Sequence, residues 1–150
     1  PTAVGEIEAA HWEELAGSNL RSPLFLAQAA APHLAKVQGA IVNIADIHAE
    51  RPLKGYVVYS IAKAGLAALT RSLALELGPS VRVNAVAPGT IAWPEDGQFD
   101  PAERAQIVAT TPLQRIGSPE DIAQAVLYLC TATFVTGQVL AVDGGRSVFS

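Results

Sequence analysis

The chain contains no methionine, a single cysteine and no glycine-rich run, and its basic residues are outnumbered by its acidic ones. Each shortage closes off a class of answer. One cysteine, Cys130, cannot form an internal disulfide framework and fits a reducing cytoplasm. It lies in an apolar helical run beside Leu127 and Leu129, which predicts a buried, unreactive thiol. A net charge of -4 leaves no basic footprint, so neither nucleic acid nor an anionic membrane is expected as a partner. The apolar stretches are helix-sized and broken by polar residues, so no membrane span is expected. His11, His33 and His48 share no metal-ligand spacing with one another or with acids, and no metal site is expected. The first residues are neither basic nor followed by a continuous apolar run, unlike a signal peptide. Opening on Pro1-Thr2-Ala3-Val4-Gly5, the sequence reads as the middle of a protein rather than its beginning.

What is present suffices for one domain with a core: 150 residues, half of them apolar. Glu8 to Lys36 is rich in good helix formers, and Trp12, Leu15, Leu20, Leu24, Ala27 and Ala31 recur at three- and four-residue spacing. Pro23 predicts a kink or restart near Leu20 to Ser22. Ala40 to Ile44 reads as a short buried strand, Asp46 to Gly55 as a loop, and Tyr56 to Leu77 as a second long helix stopped by Gly78-Pro79. Val81 to Ala87 is a second strand. A short helix is expected at Pro101 to Ala109. Ser118-Pro119-Glu120-Asp121 starts another that runs to about Cys130, with Ser as N-cap and Pro in the first turn. Gln138 to Val142 is the third strand. Long helices alternating with continuously apolar strands imply an α/β fold with a parallel sheet. Three strands make a small sheet with an uncovered side.

Tyr59 and Lys63 stand at i and i+4, on one face of the second long helix. A neighbouring ammonium favours phenolate, so the pair predicts a tyrosine pKa lowered toward working pH, suited to proton transfer. Spacing alone is equally compatible with a surface pair on an amphipathic helix. Position argues for more. The pair opens the helix that follows a strand and loop, at the carboxyl end of a parallel strand, where open α/β sheets bind ligands. Val81 to Gly89 ends the next strand at the same edge.

These residues resemble the short-chain dehydrogenases/reductases, in an ordered set covering essentially the whole chain. The set comprises Asn19-Leu20 with Pro23-Leu24-Phe25, Ile41 to Ile44, Tyr59 to Lys63, Arg82 to Gly89, Pro112 to Ile122, and Thr136 to Gly145. The resemblance implies the C-terminal half of a Rossmann-type doubly wound parallel sheet with flanking helices. It implies Tyr59 as proton donor, and Lys63 as the group that lowers the tyrosine pKa and holds the nicotinamide ribose. Asn19 would hold a relay water; on position alone it could also be a helix-interior Asn satisfied by backbone. Asn43, Pro88, Gly89, Thr90 and Ile91 would line the cofactor. Residues 90–118 would form a substrate lid, in which Trp93 could stack on a flat heterocycle or pack on protein, near Phe99 and the Pro94-Glu95-Asp96-Gly97 turn. Arg115 would be structural or at an interface.

One departure is informative. Where most of the family ends this strand in a serine that bonds a substrate carbonyl, Asn43-Ile44-Ala45-Asp46 carries a carboxylate. An ionised carboxylate only accepts hydrogen bonds, so it suits a substrate with N–H donors. With Pro52-Leu53, Gly55-Tyr56 and Tyr59, the swap is similar to the pteridine reductase branch. That similarity implies NADPH-dependent reduction of a C=N bond in a dihydropterin or dihydrofolate, with Asp46 and Tyr59 organising protonation. Asp46 could instead be a loop or helix-cap carboxylate, with Asn43 or His48 facing substrate. The alternatives are a 3-oxoacyl-carrier-protein or other carbonyl reductase, and a non-catalytic dinucleotide sensor. The glycine-rich phosphate-binding half is not in these 150 residues. The chain is therefore expected not to bind the dinucleotide by itself, and NADP over NAD rests on the branch resemblance alone. The spacing of Leu129 to Phe134 also looks about a residue short. By resemblance the two long helices, with Ala27, Ala30, Ala64 and Ala68, would pack against copies of themselves in a homotetramer.

Overall fold

The computed structural model describes residues 1–93 and 99–148, so the Pro94-Glu95-Asp96-Gly97 turn lies outside the described residues. Three strands, β1 (Ala40–Ile44), β2 (Arg82–Pro88) and β3 (Val139–Val142), form a parallel sheet in the order β1-β2-β3. Ahead of β1 come α1 (Ala9–Ala16) and α2 (Ser22–Ala35). α3 (Val57–Leu77) joins β1 to β2, and α4 (Pro101–Ala109) and α5 (Pro119–Thr131) join β2 to β3. This is the α/β architecture implied by the alternation of elements.

The expected kink in the first long helix takes a defined form. Between α1 and α2 the backbone runs as one π-helical stretch, Gly17–Arg21, and Pro23 follows at the second position of α2. α5 begins as its sequence predicts. Ser118 Oγ accepts from the Asp121 amide at 3.3 Å while Asp121 Oδ2 accepts from the Ser118 amide at 2.9 Å. Arg115 reaches the same carboxylate at 3.0 Å, which gives this side chain a structural role in fixing the helix start.

Burial is concentrated on the middle strand. Val83 to Ala87 are all buried, whereas β1 is half-exposed and Ile44 at its end is 48% exposed. β2 has a hydrogen-bonded neighbour on both sides, and β1 and β3 each have one. Asn84, fully buried in β2, is satisfied from both ends of its amide: Nδ2 donates to Val135 O, and Oδ1 accepts from the Gln138 amide. Arg82 donates to the Leu129 and Cys130 carbonyls and so caps the carboxyl end of α5. Leu129 itself is 1% exposed, a burial that contributes roughly 2 kcal/mol.

Cys130 departs from expectation. It is exposed, as are Leu127 and Tyr128, because at this end of α5 only Leu129 turns into the core.

Candidate active site

The site is built where β1 ends. Beyond Ile44 the chain stays extended through Asp46 (φ -164°), then tightens into one 3-10 turn, Ile47–Ala49. Asp46 caps that turn by accepting the His48 amide on Oδ1 at 2.8 Å. The alternative of a capping carboxylate is therefore realised, but it uses one oxygen only. The loop closes at Gly55, whose φ of +84° is a left-handed conformation suited to glycine, and α3 starts at once. Its first turn carries Tyr59 to the other oxygen: the hydroxyl donates to Asp46 Oδ2 at 2.6 Å. One turn later Lys63 Nζ donates to the Ile44 carbonyl at 3.0 Å and lies 5.7 Å from the Tyr59 ring centre.

The electrostatics reverse one expectation. Lys63 was to lower the tyrosine pKa, yet the Tyr59 phenol is pushed well above its ordinary value, by burial first and then by its hydrogen bond to the Asp46 carboxylate and that group's charge. Burial sets the sign, and the neighbouring carboxylate adds to it. The carboxylate touches the hydroxyl, while the ammonium is anchored on a backbone carbonyl beyond the ring. Lys63 is itself shifted down by burial, with Asp46 pulling the other way. At neutral pH the Tyr59 phenol therefore keeps its proton, donated to Asp46 Oδ2.

Asp46, His48 and Tyr59 line one cleft of about 440 Å³, walled by Leu15, Leu53, Tyr56, Val57 and Phe99. Sequence reasoning did not single out Tyr56 as a wall residue, although its place three residues before Tyr59, at the helix entry, was the available signal. Other expected residues lie elsewhere. Trp93 borders a separate concavity with Arg104 and Val108, stacks near Phe99 (centroids 6.0 Å) and lies 5.3 Å under the Arg104 guanidinium. Asn43 donates its amide to Thr70 Oγ1 at 2.9 Å, a partner 27 residues away that no local signal reveals. Asn19 sits in the π-helical stretch and donates to Leu15 O and Ser18 Oγ, both at 3.0 Å. Leu20 beside it packs so closely on Gly65 of α3 that a Cβ there would lie 2.7 Å from a Leu20 methyl. Pro88 ends β2, Gly89 donates its amide to Val142 O, and Thr90 accepts from the Gly117 amide. Pro88 to Ile91 thus lie at the same carboxyl edge as Tyr59.

Among the described residues no group of three His, Cys, Asp or Glu could hold a metal, and no helix is long and apolar enough to cross a membrane. The donor set suits a nicotinamide riboside. Lys63 has three N–H donors and spends one on Ile44, leaving two for vicinal hydroxyls, with the Tyr59 hydroxyl on the same helix face.

Residues 1–147 match the family described as enoyl-(acyl carrier protein) reductase. The chain belongs to the short-chain dehydrogenase/reductase family. A protein assigned as ketoacyl reductase 2 of the granaticin polyketide synthase from Streptomyces violaceoruber is 45% identical over 137 residues, 89% of this chain and 55% of that protein. Pteridine reductase 1 of Leishmania tarentolae is 39% identical over 146 residues, 90% of this chain and 50% of its own. An apo SCOR enzyme from Clostridium thermocellum superposes with a TM-score of 0.88 at 33% identity, covering 100% of this chain and 59% of the other. The short-chain dehydrogenase/reductase chain described here thus spans about half the length of the curated relatives it matches.

Proposed function

We propose that the complete protein is an NADPH-dependent reductase of a C=N bond in a dihydropterin or dihydrofolate. The observation that carries this reading is the 2.6 Å contact between the Tyr59 hydroxyl and Asp46 Oδ2. The group beside the tyrosine is an acceptor where a carbonyl substrate would want a donor. Asp46 accepts an N–H of the substrate, and Tyr59, kept protonated by burial and by Asp46, hands its proton to the ring nitrogen being reduced. Lys63 holds the nicotinamide ribose hydroxyls, and its positive charge offsets the anion left on Tyr59. When bound, the nicotinamide supplies the hydride. Asn19 serves the proton relay, its side chain fixing the π-helical turn while a water links Lys63 to solvent. Asn43 supports this edge through Thr70, and Pro88, Gly89, Thr90 and Ile91 line the nicotinamide. Residues 90–118 act as the lid, with Trp93 bracing Phe99 against the cleft. The resemblance to pteridine reductases supports NADPH over NADH, a cytoplasmic setting suits the single thiol, and a homotetramer assembles through α2 and α3.

A second reading has its own support: the ketoacyl reductase relative at 45% identity favours a 3-oxoacyl thioester as substrate. The test is nicotinamide oxidation by the complete protein with dihydrobiopterin or dihydrofolate, against an acetoacetyl thioester, in the unmutated protein and in Asp46→Ser. Pterin turnover that collapses in Asp46→Ser is the expected result. Thioester turnover without pterin turnover would overturn the proposal. Cofactor binding with no turnover of either would leave a dinucleotide sensor.

A further inference from the structure

Trp93 and Phe99 are both held by one side chain, that of Arg104. Arg104 is the fourth residue of α4, and Phe99 immediately precedes the Asp100 N-cap of that helix. The two occupy the positions whose contact fixes the angle at which a chain enters a helix, a contact usually made by two apolar groups. Here the long side chain leans back toward the helix start, as helical side chains do, and its Nε donates to the Phe99 carbonyl at 3.0 Å. The guanidinium carbon lies 5.3 Å from the Trp93 ring centre, within cation–π range.

Helix stability does not account for this placement. A cation near the start of a helix opposes the macrodipole, and alanine would serve the helix at least as well. The start is already closed by a capping box: Asp100 Oδ1 accepts the Glu103 amide at 2.8 Å, and Glu103 Oε2 accepts the Asp100 amide at 2.9 Å. What Arg104 adds is aim. Phe99 lines the cleft of Asp46 and Tyr59, together with the hydroxyl-bearing Thr2 and Tyr56. Trp93 borders the separate concavity with Arg104 and Val108, and its ring centre is 6.0 Å from that of Phe99 at a tilt of 58°. Phe99 is thus common to the cleft and to the aromatic pair, fastened at its carbonyl by Arg104 and at its ring by Trp93.

We propose that Arg104 is a positioning residue: by bonding the Phe99 carbonyl and covering the Trp93 ring, it sets Phe99 as an aromatic wall of the catalytic cleft. An apolar wall contacts ground and transition states alike, so its displacement shows in KM and hardly in kcat. This role requires that the cleft take the substrate, as proposed above. It is indifferent to whether that substrate is a pterin or a thioester.

The complete protein provides the test, with KM read for whichever of dihydropterin and acetoacetyl thioester it turns over. Arg104→Ala is expected to raise KM about tenfold, the size of one lost charge-assisted hydrogen bond, with kcat within about twofold. Arg104→Gln recovers most of the loss, because its side-chain nitrogen stands as many bonds from the backbone as the arginine Nε. Phe99→Ala raises KM to a similar degree, and Arg104→Ala adds little on top of it. A merely structural Arg104 would lower the urea midpoint in Arg104→Ala and leave KM where it was. A second readout needs no turnover. With Trp12→Phe, Trp93 is the one remaining tryptophan, and Arg104→Ala increases its quenching by acrylamide. Unchanged KM in Arg104→Ala, full additivity with Phe99→Ala, or unchanged Trp93 quenching would overturn the assignment. Thioester turnover alone, with the KM pattern intact, would sink the pterin reading and keep Arg104. Pterin turnover without that pattern would do the reverse. If neither substrate is turned over, the reductase reading falls, and the Trp93 quenching decides whether Arg104 holds the ring.

Discussion

The two sides of Tyr59 are held in different ways. Toward the cleft, side chain meets side chain: the phenol bonds Asp46, and Asp46 in turn caps the turn that carries His48. Toward Lys63 and Asn19, each side chain is tied to nearby groups, Lys63 to Ile44 O and Asn19 to Leu15 O and Ser18 Oγ. The cleft side comes from a continuous stretch, strand end, turn, loop and first helical turn, which closes on itself within the spacing from Asp46 to Tyr59. The other side joins segments far apart in sequence, brought together by close packing of Leu20 on Gly65. Local closure lets the substrate-facing groups meet directly. Distant packing gives the two relay candidates a common neighbourhood and leaves each bonded to a separate partner.

That contrast predicts a ranking. In the complete protein, Tyr59→Phe removes the proton donor and is expected to lower kcat by about 10²-fold or more, read as nicotinamide oxidation at saturating substrate. Asp46→Asn leaves the phenol in place but removes the charge that stabilises its protonated form. Burial remains, so the phenol titrates at a lower pH than in the unmutated protein, measured by tyrosinate absorbance. The stability consequence has a definite sign. Because the folded pKa is raised, Tyr59 contributes stability fully below the ordinary tyrosine value of about 10 and loses it as pH climbs beyond. The alkaline fall in the urea midpoint should be shallower in Asp46→Asn. An unchanged phenol titration would break the account of why the two sides differ.

Smaller effects test the scaffold beneath each side. Gly89→Ala places a Cβ 2.7 Å from the Asp143 Cβ and 2.8 Å from its Cα, and backbone cannot step aside. A loss of about 2 kcal/mol is expected by denaturant titration. Thr70→Val strands the Asn43 amide against a methyl group and costs about 1–2 kcal/mol, since Thr70 is fully buried. Asn19→Ala exchanges two local hydrogen bonds for better helix propensity, so less than about 1 kcal/mol is expected, with any larger change appearing in turnover.

Much of this was legible in residue order. The strand and helix runs lie within a residue or so of where apolar periodicity and the Gly-Pro and Ser-Pro signals put them, because those signals are local and so is the backbone chemistry behind them. The Tyr59–Lys63 spacing and the aspartate at the strand end were visible for the same reason. Cys130 was misjudged because an apolar run on a helix does not say which flank faces the sheet. The direction of the tyrosine shift was misjudged because an i, i+4 neighbour was visible, whereas the burial of the phenol and its bond to a carboxylate from another element are products of packing.

By itself, then, the sequence determined the element order, the helix starts and stops, and the presence of a phenol, an ammonium and a carboxylate at one end of a parallel sheet. Only the tertiary structure decided how those groups pair. Which oxygen of Asp46 meets Tyr59, which carbonyl the His48 ring reaches, and where Asn43 and Lys63 anchor all depend on hydrogen bonds of a few ångströms between segments. Such distances are set by packing, on which residue order places only a loose constraint.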